Sequence, residues 1–308
     1  MTGGLILSIG EAMVELSHGG QPDLWRLGIA GDTLNTAWYL RRLLAPNWRL
    51  AYFTRVGTGE FSNRMVDFLA AEGIETAHVG RDAEREIGLY AISLRRGERS
   101  FSYWRDNSAA RRLADDPAAL AAALRGAHTA YLSGITLAIL SPAARKALLD
   151  ALAHARAAGT RMVFDPNLRP RLWSDAQTMR NQTEAAAALA DLVLPSFDDE
   201  HAFFGDADGK ATVARYLAAG AGQVIVKAGG DPIRYGGQEG EGLVRDLPRE
   251  EPVDTTSAGD SFNAGYLAAR LNGAGIEDAI RRAHDLSRVV IRHPGALVHE
   301  AVPRRPDP

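Results

Sequence analysis

The chain alternates short apolar runs with longer segments of helical period. Leu5-Ile6-Leu7-Ser8-Ile9 is apolar almost throughout and stops at Gly10, which predicts a buried first strand. Glu11 to Leu16 is more polar and alternates, so it predicts a strand that leaves the core, at an edge or in a lid. Gly28-Ile29-Ala30-Gly31 reads as a small-residue turn, and Leu34, Ala37, Trp38, Leu40 and Leu44 place a helix after it. Tyr52 to Gly57 predicts a strand. Phe61 to Glu72 predicts a helix with Met65, Phe68 and Leu69 on one face, ended by Gly73. Strand, helix and strand in succession predict parallel βα architecture.

A different pattern follows. Ile87–Leu94 and Ser100–Arg105 alternate with period two on either side of Arg96-Gly97-Glu98, which predicts a hairpin. A hairpin does not fit inside a parallel series, so it is expected to project. With the earlier polar strand it would form a β lid from residues 11–20 and 86–106. Its aromatic face needs a cover, either ligand or a second subunit. From Ala109 to Ala158 the chain reads as helical, interrupted by a strand at Thr129–Ser133. Leu120, Leu124, Leu148, Leu149 and Leu152 supply a packing face there. Further strands are predicted at Met162–Phe164, Leu192–Pro195 and Gln223–Val226, then a short antiparallel stretch at 233–245. A last helix is read at 276–292, and a frayed tail from Pro303. No repeat, linker or second core is visible. The expectation is one α/β domain over residues 1–308, with a mostly parallel central sheet, helices on both faces and a small projecting β-sheet lid.

Composition narrows the function. The chain has 308 residues, 46% of them hydrophobic, enough for a large core. A formal net charge of -3 implies no general attraction to nucleic acid or an anionic membrane. The absence of cysteine removes disulfides, thiolate metal sites and cysteine nucleophiles. Neither a signal peptide nor a run of membrane-spanning length is read, so a soluble cytoplasmic protein is expected.

The chemistry concentrates at Asp254-Thr255-Thr256-Ser257-Ala258-Gly259-Asp260, a small-residue loop that runs into an apolar helix through Phe262, Tyr266, Leu267 and Leu271. Helix-start N–H groups and the macrodipole make such a loop an anion site. Asp260 sits at its mouth. Two readings are open: a capping aspartate, or a base that takes a proton from a hydroxyl while the loop holds charge building on a phosphate. Asp32 and Asn35, after Gly31, are likewise either helix caps or partners for sugar hydroxyls. Tyr90, Tyr103 and Arg105 on the hairpin are either ligand contacts or cross-strand packing. Asp165, Asn167 and Arg169 follow a strand, where open α/β sheets bind ligands. Arg169 lies between two prolines, which suits a stiffly held guanidinium aimed at carboxylate or phosphate. Asp198, Asp199 and Glu200 are able to cap a helix or to stand near a hydrated Mg²⁺. Gly229-Gly230 after a strand suits a nucleotide lying against backbone. No Gly-x-x-x-x-Gly-Lys-Ser/Thr sequence occurs, so the helix-start loop has to be the anion hole.

The Asp254–Asp260 loop resembles the C-terminal signature Asp-Thr-x-Gly-Ala-Gly-Asp of the ribokinase-like (PfkB) carbohydrate kinases. Ser257 stands in for the first glycine, a modest departure that keeps the turn if its φ is negative. The resemblance spans nearly the whole chain, through Gly31-Asp32-Thr33-Leu34-Asn35-Thr36, Tyr103-Trp104-Arg105, Tyr131 to Pro142 and Arg169-Pro170-Arg171-Leu172-Trp173. It narrows to members that act on sugar acids. What it implies is a ribokinase-like fold and transfer of the ATP γ-phosphate to the 6-hydroxyl of a 2-keto-3-deoxy sugar acid of the gluconate series. Asp260 matches the catalytic base, and the N–H groups of Ala258, Gly259 and Asp260 match the anion hole. Gly31, Asp32, Asn35, Tyr90, Tyr103, Arg105 and Arg169 match sugar contacts. The nucleotide is expected along Ser196, Lys227, Gly229, Gly230, Asp231, Ser257, Ala258, Gly259 and His284. Mg²⁺ is implied, with Asp199 or Glu200 near it through water; a monovalent-cation requirement stays open. A homo-oligomer through the lid is expected. Alternatives are a kinase for the galactonate-derived epimer or for a neutral sugar, and, from another class, a non-catalytic sugar or nucleotide sensor, against which an intact Asp260 argues.

Overall fold

The computed structural model describes residues 3–18, 21, 23–95 and 98–303. The hairpin turn expected at Arg96-Gly97, residues 19–20 of the expected lid and the tail from 304 lie outside them. Thirteen strands are present among the described residues: β1 (Leu5–Ile9), β2 (Met13–His18), β3 (Trp25–Ala30), β4 (Arg49–Val56), β5 (Val79–Arg81), β6 (Gly88–Arg95), β7 (Glu98–Trp104), β8 (Ala127–Ser133), β9 (Arg161–Asp165), β10 (Leu192–Val193), β11 (Gln223–Val226), β12 (Ile233–Gly237) and β13 (Gly242–Val244). The helices are α1 (Asp32–Leu43), α2 (Glu60–Ala71), α3 (Pro117–Leu124), α4 (Gly134–Ile139), α5 (Pro142–Ala157), α6 (Ala176–Ala187), α7 (Phe197–Phe204), α8 (Gly209–Ala219), α9 (Ala258–Leu271) and α10 (Ile276–Val290). No helix among the described residues is long and apolar enough to cross a membrane.

Nine strands form one sheet in the order β13-β12-β11-β10-β9-β8-β1-β4-β5. It is parallel from β5 to β11, and only the pairings of β12, with β11 and with β13, are antiparallel. The apolar first run follows from this position: a parallel sheet is buried on both faces. Successive residues point to opposite sides. Ile6 joins a core cluster with Trp38, Met65, Phe262 and Ile280, beneath α1, α2, α9 and α10. Leu7 and Ile9 join the opposite cluster with Leu120, Leu148, Leu152 and Tyr216, beneath α3, α5 and α8. Each such Leu or Ile contributes about 1.5–3 kcal/mol when fully buried. Helix starts on the second side carry side-chain caps. Asp116, Ser141, Asp175 and Asp208 each accept an N–H of the first turn, and Pro117 and Pro142 occupy the first helical position.

The remaining four strands form a separate small sheet, β3-β2-β6-β7. Its hairpin β6–β7 and its polar strand β2 match the expected lid. Its third component corrects the reading of Gly28-Ile29-Ala30 as a turn. Those residues are the end of β3, paired antiparallel to β2 from His18↔Trp25 to Met13↔Ala30. The turn is confined to Gly31. A Cβ there would fall 2.3 Å from the carbonyl oxygen of Glu11, so only glycine lets the chain lie against that segment and start α1.

Candidate active site

The parallel strands β1, β8, β9, β10 and β11 release their carboxyl ends at one edge of the large sheet, where α/β folds bind ligands. Asp165 ends β9, and Lys227 directly follows β11. Helix α9 starts at the same edge without a side-chain cap. Ser257, which precedes it, has φ 63° and ψ 13°. The condition for an unstrained serine, a negative φ, is therefore not met. The loop turns through the left-handed region, which costs a non-glycine residue about 1–2 kcal/mol, and Ser257 Oγ is buried without a partner. The amide of Ala258 is not free either, since it donates to the carbonyl of Thr255 at 3.2 Å. The amides of Gly259 and Asp260 have no partner among the described residues. They form the open part of the helix start.

Asp260 is buried, and its Oδ2 accepts a hydrogen bond from Asn35 Nδ2 at 2.9 Å. Burial is the largest reason that its carboxyl rises from 3.8 to about 7; the charges of Asp32 and Asp165 add to it, while Asn35 and Lys227 oppose it. Asn35 does two things at once. Its Oδ1 accepts the amide of Gly31 at 3.3 Å, and its amide group reaches across to Asp260, so one side chain joins the start of α1 to α9. Asp32 is held by Asn167 Nδ2 at 2.7 Å and accepts the amide of Thr33.

Two clefts meet at this loop. One, of about 510 Å³, lies between the small sheet and the strand ends, and Asp32, Asn35, Tyr90, Tyr103, Arg105 and Arg169 line it. The other, of about 340 Å³, lies toward α10, with Gly229, Gly230, Pro248, Phe262, His284 and Ile291 among its walls. Ser196, Lys227, Ala258 and Gly259 line both. His284 is buried with Nε2 2.7 Å from the carbonyl of Pro248.

Nearly all the residues read from the sequence are therefore brought together, with two exceptions. Asp231 sits past two left-handed glycines, on the outside of the turn, paired with Arg249 and lining neither cleft. Glu200 points into the core, where Arg215 donates to it at 2.6 Å and Tyr216 at 2.9 Å. Its carboxyl is raised to about 7, chiefly by burial, and it is removed as a metal candidate. Asp199, one residue earlier on α7, does face the cleft. Its carboxyl is raised by burial, against the pull of Arg169. No cluster of three His, Cys, Asp or Glu able to cage a metal exists among the described residues.

The two arginines are not free cations. Arg105 is buried and donates to Glu11, a buried carboxylate the sequence reading left unassigned. Arg169 is half-exposed, bonded to the carbonyl of Leu168, and 3.7 Å from Asp199. The sequence reading also left Asn263 without a role. It stands one helical turn after Asp260, on the same face of α9, and that spacing was the available signal.

A model of the pfkB family of carbohydrate kinases matches residues 5–301. The chain is 41% identical over 307 residues to a 2-dehydro-3-deoxygluconokinase of Escherichia coli (strain K12), covering 97% of this chain and 98% of that one. It is similar to the solved structure of a PfkB protein from Polaromonas sp. JS666, with 30% identity, a TM-score of 0.80, and 95% and 97% of the two chains covered. An E. coli protein described as a ribokinase II, solved in complex with ATP and Mg²⁺, matches with a TM-score of 0.82 over 98% of this chain and 96% of that one; at 24% identity that likeness is one of fold.

Proposed function

The chain belongs to the pfkB family of carbohydrate kinases, and on that premise we propose that it transfers the γ-phosphoryl group of ATP to the 6-hydroxyl of 2-dehydro-3-deoxy-D-gluconate, giving 2-dehydro-3-deoxy-6-phosphogluconate and ADP. The observation that carries this reading is the placement of Asp260. It is a buried carboxyl raised to about 7, lining the larger cleft next to Gly259, where the two clefts meet, and beside two unpartnered amides. Sugar acid occupies the cleft under the small sheet, which acts as a lid, and the nucleotide occupies the cleft by Gly229, Gly230 and His284. Asp260 accepts the hydroxyl proton as the sugar oxygen bonds to the γ-phosphorus. The bond from that phosphorus to the β–γ bridging oxygen breaks, and ADP leaves with the electron pair. The amides of Gly259 and Asp260 face the charge that spreads over the transferring group.

Arg105, held by Glu11, and Arg169, loosely paired and able to exchange Asp199 for a ligand carboxylate, supply the recognition of an acid rather than a neutral sugar. Phosphate oxygens and water would complete the shell of a Mg²⁺ near Asp199, a donor set that suits a hard cation needing only one or two protein carboxylates. Mg²⁺ would neutralise phosphate charge. Two copies pair through the small sheet, whose outer strand β7 exposes Trp104, while Phe101 and Tyr103 line the cleft. A coupled ADP-release assay with 2-dehydro-3-deoxygluconate, its C4 epimer, ribose, fructose and tagatose 6-phosphate tests the substrate. Fastest turnover on a neutral sugar would overturn the assignment.

A further inference from the structure

Lys227 is held more closely than contact with a nucleotide requires. Its amide donates to the carbonyl of Pro195, and its own carbonyl accepts the amide of Phe197, both at 2.8 Å. Its side chain is buried. Nζ lies 3.1 Å from Asp165 Oδ2 and 3.2 Å from Asn263 Oδ1. Asn263 closes the triangle, because its Nδ2 donates to the same Asp165 oxygen at 2.6 Å and to Tyr131 Oη at 3.0 Å. Tyr131 in turn accepts from Thr36 at 3.1 Å, so the triangle ties β8, β9 and β11 to α1 and α9. Only an amide fits at 263: it must offer an acceptor to the ammonium and a donor to the carboxylate.

An ammonium has three N–H donors, and here two have partners. The third has none among the described residues, yet the side chain borders both clefts. A Cβ on Gly259 would stand 3.5 Å from Nζ, so the ammonium lies over the loop that carries the two open amides. A lysine kept only for structure would have no reason to leave a donor at that seam.

We infer that Asp165 and Asn263 are positioning residues that fix the Lys227 ammonium where the two clefts join, so that its third N–H meets the phosphoryl group in transfer. Lys227 makes no covalent bond; it is a fixed hydrogen-bond donor that matches the transition state. The inference rests on the kinase reading, with Asp260 as base.

Full-length Lys227→Met, Asp165→Asn and Asn263→Ala are assayed beside Asp260→Asn, with a melting curve for each. Loss of one such donor costs kcat about 10²–10³-fold, with KM for the sugar changing by less than about threefold if only the transition state is affected. The pH profile gives a readout that a structural role would not move. Asp260 faces Asp32 from α1, Asp165 from β9 and Lys227. Lys227→Met is expected to move the acid limb of kcat/KM upward, and Asp165→Asn to move it downward. If the Asp165 variant does not fold, Lys227→Ala assayed with added methylammonium replaces it, and saturable rescue is expected. Folded Asp165 and Asn263 variants with normal kcat, or no rescue, overturn the inference. An inactive Asp260→Asn beside normal clamp variants sinks only the clamp. A fully active Asp260→Asn sinks the kinase mechanism itself.

Discussion

Replacing Asp260 by Asn is expected to remove activity and, at neutral pH, to stabilise the fold. Burial, aided by Asp32 and Asp165, raises the carboxyl from 3.8 to about 7 in the folded protein. In the unfolded chain it ionises near 3.8. Between those values folding takes up a proton, so stability is complete below about pH 4 and falls as pH rises toward 7. At roughly 1.4 kcal/mol per pH unit, the interval corresponds to about 4 kcal/mol. Asparagine carries no charge at any pH, and its Oδ1 is able to keep the bond from Asn35. Urea unfolding of both proteins at pH 5.5 and 8.5 isolates the effect, since every other titrating group cancels in the difference. The stability gap in favour of Asp260→Asn is expected to be wider at pH 8.5 by about 2 kcal/mol. A gap of equal size at the two pH values would refute the argument, because Asp260 would then titrate as an ordinary carboxyl. The same ionisation predicts that wild-type kcat/KM rises with pH and levels off above about 7, and that Asp260→Asn loses activity roughly a hundred-fold or more.

Ser257→Gly is expected to raise stability by about 1 kcal/mol, because φ 63° costs glycine nothing and the unpartnered hydroxyl is removed; a lower melting temperature would contradict the strain. Asp199→Asn is expected to raise the Mg²⁺ concentration needed for half-maximal activity at unchanged melting temperature. Glu200→Ala is expected to do the reverse, losing roughly 3 kcal/mol by leaving Tyr216 and Arg215 short of a buried partner, with the Mg²⁺ requirement unaltered. Trp104→Lys is expected to weaken self-association in sedimentation velocity, and a wild-type monomer at every concentration would exclude pairing through the small sheet.

The parts of this molecule that were legible from its sequence are those whose cause is local. A near-continuous apolar run marked β1, and period-two runs marked β6 and β7 because each hairpin strand's own residues divide between two faces. The loop at Asp254–Asp260 was legible because small polar residues before an apolar helical run mark a helix start whatever surrounds them. The residues that were misread take their conformation or chemistry from distant partners. Gly28-Ile29-Ala30 has the composition of a turn and becomes a strand only because β2 offers it a ladder. Asn263 sits beside Asp260 in sequence, but its amide matters through Asp165 and Lys227, 98 and 36 residues away. Arg105 was read as a candidate ligand contact, while the acid that holds it, Glu11, lies 94 residues earlier. The same distinction applies to Ser257, whose φ the sequence left open: it is set by the closure of a loop between two packed elements, not by the serine. In this fold the sequence identifies which groups reach the site. Their protonation, and the donors they leave open, depend on bonds between strand ends that only the packed sheet brings within reach.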